Sequence, residues 1–277
     1  MITGKDGGKF IGISVKRCKN PHKQNIQMIF NQNDYEYVWI NNTSKINIDL
    51  PRIAKKHGAK IIVHSHGVAT EAKGLKKIIF SIIEKVNTRE YCRLIDIPFA
   101  CSQASAKFFY PADLLKKCKV VSNGIETEKF LFNEKERIRI RRELGIKNND
   151  ILIGAVGRLT TVKNYAFLAD LLPELPDKYK VIILGDGEDE AYLKNIIDKH
   201  NIGDRFFLLG KKQNISAYLS AMDIFAMPSL NEGMPFSLIE AQASGLRCVV
   251  STGVSQEAKI IDYISFANCN NKLDTLR

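Results

Sequence analysis

Ser229-Leu230-Asn231-Glu232-Gly233-Met234-Pro235-Phe236-Ser237-Leu238-Ile239-Glu240-Ala241-Gln242-Ala243-Ser244-Gly245 is the stretch around which the 277-residue chain is organised. It follows the apolar, strand-like run Ile224-Phe225-Ala226-Met227-Pro228. Gly233-Met234-Pro235 then makes a turn that puts Pro235 at the first position of a helix. Glu232 falls on the loop before that helix, and Glu240 about two turns into it. The unpaired first-turn amides, near Phe236 and Ser237, face the mouth of the sheet, where a helix N-terminus attracts phosphate. The chemistry suggested is a diphosphate held by backbone amides, with two carboxylates accepting hydrogen bonds from sugar hydroxyls. An ordinary capped amphipathic helix with two glutamates carries the same start signals.

Outward from this stretch, strand–helix units recur. Strands are expected at 151–156, 180–184, 205–209, 224–227 and 246–251, with helices near 163–173, 187–200, 213–222 and 235–244. Upstream, strands are expected at 35–40, 60–65, 97–102 and from Val120, with helices at 46–57 and after Ser102, which is suited to cap one. The run Lys60-Ile61-Ile62-Val63-His64-Ser65 is almost continuously apolar, as in a parallel strand covered on both faces. Residues 123–150, with a charged helix over 133–144, read as the crossing between two βα series. The alternation predicts an α/β chain with two doubly wound parallel sheets, in domains 1–122 and 151–277.

The apolar fraction of 45% and charged fraction of 26% are those of a globular protein. No apolar run reaches the ~18–20 residues of a membrane span. Met1–Gly8 lacks a signal-peptide core, and six scattered cysteines without metal-ligand spacing fit a reducing cytosol. The net charge of +11 is uneven. Residues 1–122 hold 21 Lys and Arg against 9 Asp and Glu, a net +12, and the rest holds 20 against 21, a net −1. The first half therefore suits an anionic partner such as lipid headgroups, a phosphorylated acceptor or nucleic acid. No helix-turn-helix, RNA-binding or zinc-finger signature accompanies the charge, which makes nucleic acid the weakest of the three.

A helix is expected over Glu71–Tyr91. Leu75, Ile78, Ile79, Ile82, Ile83 and Val86 form its apolar stripe, which packing against a sheet would explain. Lys73, Lys77 and Glu84 lie on the far side. Phe80 falls among lysines, as in interfacial helices, so peripheral membrane contact is the alternative for residues 71–91.

The 229–245 stretch resembles the signature of group 1 (family 4) retaining glycosyltransferases, which share the GT-B architecture of two facing Rossmann-like domains. Four further elements follow in the family's order: Ser122-Asn123-Gly124-Ile125-Glu126, with Glu126 where Asp is commoner; Gly157-Arg158-Leu159 with Lys163-Asn164; Leu184-Gly185-Asp186-Gly187-Glu188; and Leu209-Gly210 with Ala221-Met222-Asp223. The resemblance spans roughly 36–260 and is nearest the capsule and exopolysaccharide branch, where a triplet like His64-Ser65-His66 is familiar. It implies transfer of a hexose, with retention, from a UDP- or GDP-sugar to an anionic lipid-linked saccharide. The nucleotide sugar is a co-substrate, with no metal or other cofactor. The expected location is cytoplasmic, at the inner face of the plasma membrane.

Arg158 and Lys163 lie just after a strand's C-terminal end, where open α/β sheets bind ligands, and could clamp the leaving diphosphate electrostatically. The resemblance gives Glu232 to donor-sugar hydroxyls and Glu240 to the ribose. The resemblance further implies that Gly185, Gly187, Gly210, Gly233, Met234, Phe236 and Ser237 line the donor site. It also places a histidine near the transferred sugar. His66, at the strand end, is that candidate, and His64, on the same strand face, is its rival. Simple hydrogen-bonded rim residues fit both histidines equally.

The chain departs from the family pattern at both ends. The family's opening strand, Gly-rich turn and helix, and second βα unit, normally precede the equivalent of Ile11–Val15. Gly4-Lys5-Asp6-Gly7-Gly8 has no strand before it and reads as a tail. An incomplete first sheet would expose strand edges and apolar surface. After Ser255-Gln256-Glu257 only a strand-like Tyr263–Ala267 remains, without closing helices. A nucleotide-sugar-binding fragment without turnover is therefore the alternative to an active enzyme.

Overall fold

The computed structural model describes residues 2–3, 9–10, 21–42, 44–66 and 74–269. They form an antiparallel pair, β1 (Ile2–Thr3) with β2 (Lys9–Phe10), and two parallel sheets. Gly4–Gly8 and Ile11–Val15 lie outside the described residues, but a strand does precede the glycine run, contrary to expectation.

The first sheet has the order β3 (Tyr37–Asn42), β4 (Lys60–Ser65), β5 (Ile97–Ala100), β6 (Lys119–Val120). Alternation along β4 divides its side chains between two faces. Ile61 and Val63, both fully buried, join Ile53 and Ala54 of helix α2 (Asp49–Lys56) in a core that also takes Tyr91 and Phe109. Helix α1 (Pro21–Gln32), which the sequence reading missed, adds Ile26 and Phe30 one turn apart. Ile62 and His64 pair with Trp39 and Asn41 on the opposite side, where Trp39, His64 and Phe99 form a ring cluster. Strand β3 is an edge among the described residues, and Tyr37 and Trp39 on it are about half exposed.

Helix α3 (Gly74–Leu94) joins β4 to β5. Its orientation corrects the sequence reading. Phe80 is partly covered, and the stripe from Ile78 to Val86 faces outward instead of packing on the sheet. Glu71, Lys73 and the side chains of Leu75 and Lys77 lie outside the described residues. Beyond β5 come α4 (Gln103–Phe109) and α5 (Ala112–Leu115). Ser102 caps α4 as expected, its side chain accepting from the Ser105 amide at 3.0 Å.

The crossing helix α6 (Glu134–Glu143), capped by Asn133, packs as part of the second sheet's core through Ile140. Arg137 and Arg141 hold Asp223, which also accepts from the Leu152 amide at 2.7 Å.

The second sheet contains β7 (Ile151–Val156), β8 (Tyr179–Leu184), β9 (Phe206–Leu208), β10 (Ile224–Met227), β11 (Arg247–Ser251) and β12 (Ile264–Ala267). Helices α7 (Ala166–Leu171), α8 (Glu190–Lys199), α9 (Ile215–Ala221) and α10 (Phe236–Ala243) connect the strands. One fully buried cluster lies on each face, one around Leu152, Ile182 and Phe225 and the other around Ile183, Leu172 and Ala169. The order β12-β11-β10-β7-β8-β9 reverses direction between β7 and β10. That reversal opens a crevice beyond the C-terminal ends of those two strands, the usual ligand position in such sheets.

Candidate active site

The loops leaving β7 and β10 form the walls of this crevice and are bonded to each other. The Leu230 amide donates to the Val162 carbonyl at 2.8 Å, and Asn164 Nδ2 to the Pro228 carbonyl at 3.3 Å. Asn164 sits in the left-handed region, φ 52°, where asparagine is better tolerated than most residues. The turn it makes aims Lys163 across the crevice. Lys163 Nζ lies 2.7 Å from Glu232 Oε1, with both side chains less than a fifth exposed. Two residues from separate sequence elements thus meet as a partly buried ion pair. Arg158 is exposed on the same loop.

The loop after β11 fixes Glu232 further. The Glu232 amide donates to the Gly253 carbonyl at 3.0 Å, and its own carbonyl accepts from the Ser255 amide at 2.9 Å. Ser251 Oγ donates to the Ser229 carbonyl. Only glycine fits at 253, because a Cβ there would collide with the Leu230 carbonyl. Beneath the pair, the Tyr165 ring is buried, and its hydroxyl would stand 2.7 Å from a Cβ placed on Gly157. Burial, and then the Glu232 charge, push that hydroxyl far above the usual phenol range.

Helix α10 begins at Phe236, one residue later than the sequence suggests, with Pro235 extended at the cap position. Pro235 has no N–H, and the amides of Phe236 and Ser237 have no acceptor among the described residues. Glu240 is half-buried, its carboxylate without a hydrogen-bond or ion-pair partner among the described residues, and burial raises its carboxyl pKa above the ordinary value. The two glutamates of the signature thus stand in opposite states, Glu232 paired and Glu240 unpaired.

The glycines divide into two groups. At Gly185 and Gly187 the space beside Cα is taken by the Gly157 and Leu159 backbone, so these two let the β7 and β8 turns close on one another. Gly210, φ 66°, has open space beside it. Gly233 is buried in the loop. Met234 is engaged elsewhere. Its side chain packs with Cys101, Ile125 and Ile239 between the two sheets, and its carbonyl accepts from Asn123 Nδ2 at 2.7 Å.

Asn123 is the residue that sequence reasoning missed, although it was in view as part of the Asn-Gly turn. Besides holding Met234 it hydrogen-bonds His66. A continuous chain therefore runs from the end of β4 to the loop that bears Glu232. His66 is partly exposed and its Nε2 donates to Asn41 Oδ1 at 3.0 Å, the same oxygen that accepts from Trp39 Nε1 at 3.2 Å. His64 is buried, with Nε2 donating to the Val121 carbonyl at 3.0 Å. Their rings are 4.2 Å apart. Burial lowers both pKa values, and for His66 the neighbouring His64 lowers it further. His66, the more accessible of the two, borders the junction. A second bond across that junction runs from the Gln103 amide to Glu257 Oε2 at 2.9 Å. No group of three or more His, Cys, Asp or Glu among the described residues is placed to hold a metal ion.

This arrangement has a match among known families. Residues 136–263 fit the family described as glycosyl transferases group 1. An Escherichia coli UDP-Gal:alpha-D-GlcNAc-diphosphoundecaprenol alpha-1,3-galactosyltransferase is 34% identical over 220 residues, covering 76% of this chain and 56% of that protein. EpsF of Bacillus subtilis, which also carries a glycosyltransferase name, is 28% identical over 206 residues, 71% of this chain and 52% of its own length. The chain thus spans just over half the length of these two relatives. The crystal structure of Anabaena HepE in complex with UDP and glucose superposes with a TM-score of 0.75 at 20% identity, over 92% of this chain and 69% of that one. The fold is the GT-B arrangement of parallel-stranded α/β sheets.

Proposed function

We propose that the chain binds a nucleoside-diphosphate hexose in the crevice between β7 and β10 and transfers the hexose to a lipid-linked saccharide. The observation that carries this reading is the Lys163–Glu232 pair, set 2.7 Å apart at the switch point beside the unbonded amides of α10. An arriving diphosphate offers Lys163 a second anion, and Arg158 and the Phe236 and Ser237 amides can take up phosphate oxygens. Glu232, sharing Lys163 with the phosphates, then has a carboxylate oxygen for the hexose hydroxyls. Unpaired Glu240 suits the ribose hydroxyls, which donate two hydrogen bonds.

In the transfer, the bond from C1 to the diphosphate oxygen breaks, its electron pair leaving with the phosphate. A bond from an acceptor hydroxyl oxygen to the same carbon forms, and the hydroxyl proton passes to the departing phosphate. Lys163 and Arg158 stabilise the charge that grows on the leaving group. His66, neutral at pH 7 because its pKa is lowered, can hydrogen-bond the transferred sugar from the other side. The family's expected retention of configuration and independence of metal belong to this same proposal.

A uridine donor is favoured by the E. coli relative, named for UDP-Gal, and by HepE, solved with UDP. The E. coli name also gives a diphospholipid-linked acceptor, and the +12 of residues 1–122 suits an anionic one. Incubating the chain with a UDP-hexose and a polyprenyl diphosphate N-acetylhexosamine, with product anomers read by NMR, tests the proposal. An α-linked product from an α-donor is expected, lost in Glu232→Ala and in His66→Ala. Nucleotide binding without product would make the chain a nucleotide-sugar-binding module instead.

A further inference from the structure

Tyr165, at the head of α7, holds a hydroxyl that the free protein leaves unused. The residue is only 4% exposed, yet its hydroxyl has no hydrogen-bond partner among the described residues. Buried polar groups nearly always have a partner, so an exception calls for a physical reason. The turn after β7 decides where this hydroxyl lies. The point where a Cβ of Gly157 would stand is 2.7 Å from Tyr165 Oη and 3.1 Å from Lys163 Cε. The side chain that Gly157 lacks thus leaves room for the phenol and the lysine stem to lie together. At its far end the same lysine holds Glu232, 2.7 Å away. The Glu232 charge reaches the phenol, and burial, then that charge, keep it protonated. Tyr165 is therefore a neutral O–H donor, unspent, on the floor of the crevice.

Glu232 is the group with a use for that donor. An ionised carboxylate has about four acceptor sites, and Lys163 is the one side chain bonded to this carboxylate among the described residues. A diphosphate that draws on Lys163 leaves Glu232 short of a partner just as the hexose excludes water from the crevice. A buried carboxylate without a donor draws a proton, and a protonated oxygen no longer accepts from a sugar hydroxyl. A neutral donor within reach prevents that loss. It adds no positive charge to compete for the phosphates.

We propose that Tyr165 is a positioning residue for the donor hexose, its hydroxyl turning to Glu232 when phosphate engages Lys163 and holding the carboxylate ready for the sugar hydroxyls. The role rests on the donor site between β7 and β10. Calorimetric titration of UDP, UDP-glucose and UDP-galactose into the native chain, Tyr165→Phe, Glu232→Gln and the double variant tests it. Tyr165→Phe is expected to bind UDP within about twofold of the native chain, and the UDP-hexose about tenfold more weakly. Glu232→Gln is expected to lose a similar factor, and the double variant no more than Glu232→Gln alone. With 13C at tyrosine Cζ, the Tyr165 resonance should shift when the UDP-hexose is added and stay in place in Glu232→Gln. The melting temperature of Tyr165→Phe, no lower than the native one because no bond is lost, would show that it folds. UDP-hexose binding by Tyr165→Phe equal to that of the native chain overturns the role and leaves the donor crevice standing. So does a double variant weakened by both factors, or a resonance that shifts equally in Glu232→Gln. A native chain that binds no UDP-hexose overturns the donor site itself, and this role with it.

Discussion

In the six-stranded sheet the strand order reverses between β7 and β10, each face carries its own buried cluster, and three loops are bonded into one crevice wall. In the four-stranded sheet the strands follow in chain order, the edge strand leaves Tyr37 and Trp39 half exposed, and the longest helix shows its isoleucines to solvent. The first region holds its apolar surface and its charges against itself, with Lys163 on Glu232 and Arg137 and Arg141 on Asp223. The second leaves both available. The comparison separates two uses of one strand–helix alternation, a preorganised small-molecule crevice and a surface turned toward larger partners. The two meet through a few bonds, with Asn123 between His66 and Met234 at their centre.

Substitutions on either side should differ in size accordingly. Phe225→Ala, in the fully buried core under β10, is expected to cost about 3–5 kcal/mol in urea unfolding. A loss below about 1 kcal/mol would show that the second sheet is less closely packed than described. Gly253→Ala forces a Cβ against the Leu230 carbonyl and should cost about 1–3 kcal/mol, with weaker UDP binding because Glu232 moves. Asn123→Ala removes both of the bonds that Asn123 makes and should cost about 1–2 kcal/mol, read together with a shift in the His66 imidazole titration by NMR. An unmoved His66 titration would break the link drawn between the two sheets.

Glu240 gives a prediction with two opposite signs. Burial raises its folded-state pKa, so this group's contribution to the stability of the free protein is greatest at low pH and is lost as pH rises through the raised pKa. Glu240→Gln should therefore raise the melting temperature of the free protein at neutral pH. The same change should weaken UDP binding by about tenfold, since ribose hydroxyls lose a charged acceptor. Native binding should also fall with pH through that raised pKa, while the Gln variant stays flat. The smallest effect belongs to Val86→Ser on exposed α3, expected within about 0.5 kcal/mol of the native stability.

Much of this was legible in the chain. Lys60–Ser65, Ile151–Val156 and Ile224–Met227 are strands to the residue, because nearly unbroken apolar runs leave no other placement in a parallel sheet. Helix α1 escaped notice because Met28 and Ile29, exposed and half-buried, stand between its two deeply buried side chains, Ile26 and Phe30, and blur the helical spacing. The direction of α3 was illegible for a related reason. Its periodicity showed where the apolar face was, while the polar residues Glu84 and Asn87, bonded to backbone 40 or so residues away, decide which face turns inward. In the crevice, the order of motifs put Lys163 and Glu232 on neighbouring strand ends, but their ion pair depends on the left-handed turn at Asn164 and on the Leu230–Val162 bond. Met234 looked like part of the donor cradle because it lies inside the signature. Its burial against Cys101 and Ile125 is a property of the junction, which local sequence does not display.

Calorimetric titration of UDP into the native chain and into Lys163→Ala tests the crevice most directly. Saturable binding at one site, weakened at least about tenfold in the variant, is expected, since a charge-assisted contact contributes about 1.5–3 kcal/mol. Failure of the native chain to bind UDP or GDP, or equal binding by the variant, would contradict the assignment of the crevice between β7 and β10 as a nucleoside-diphosphate site.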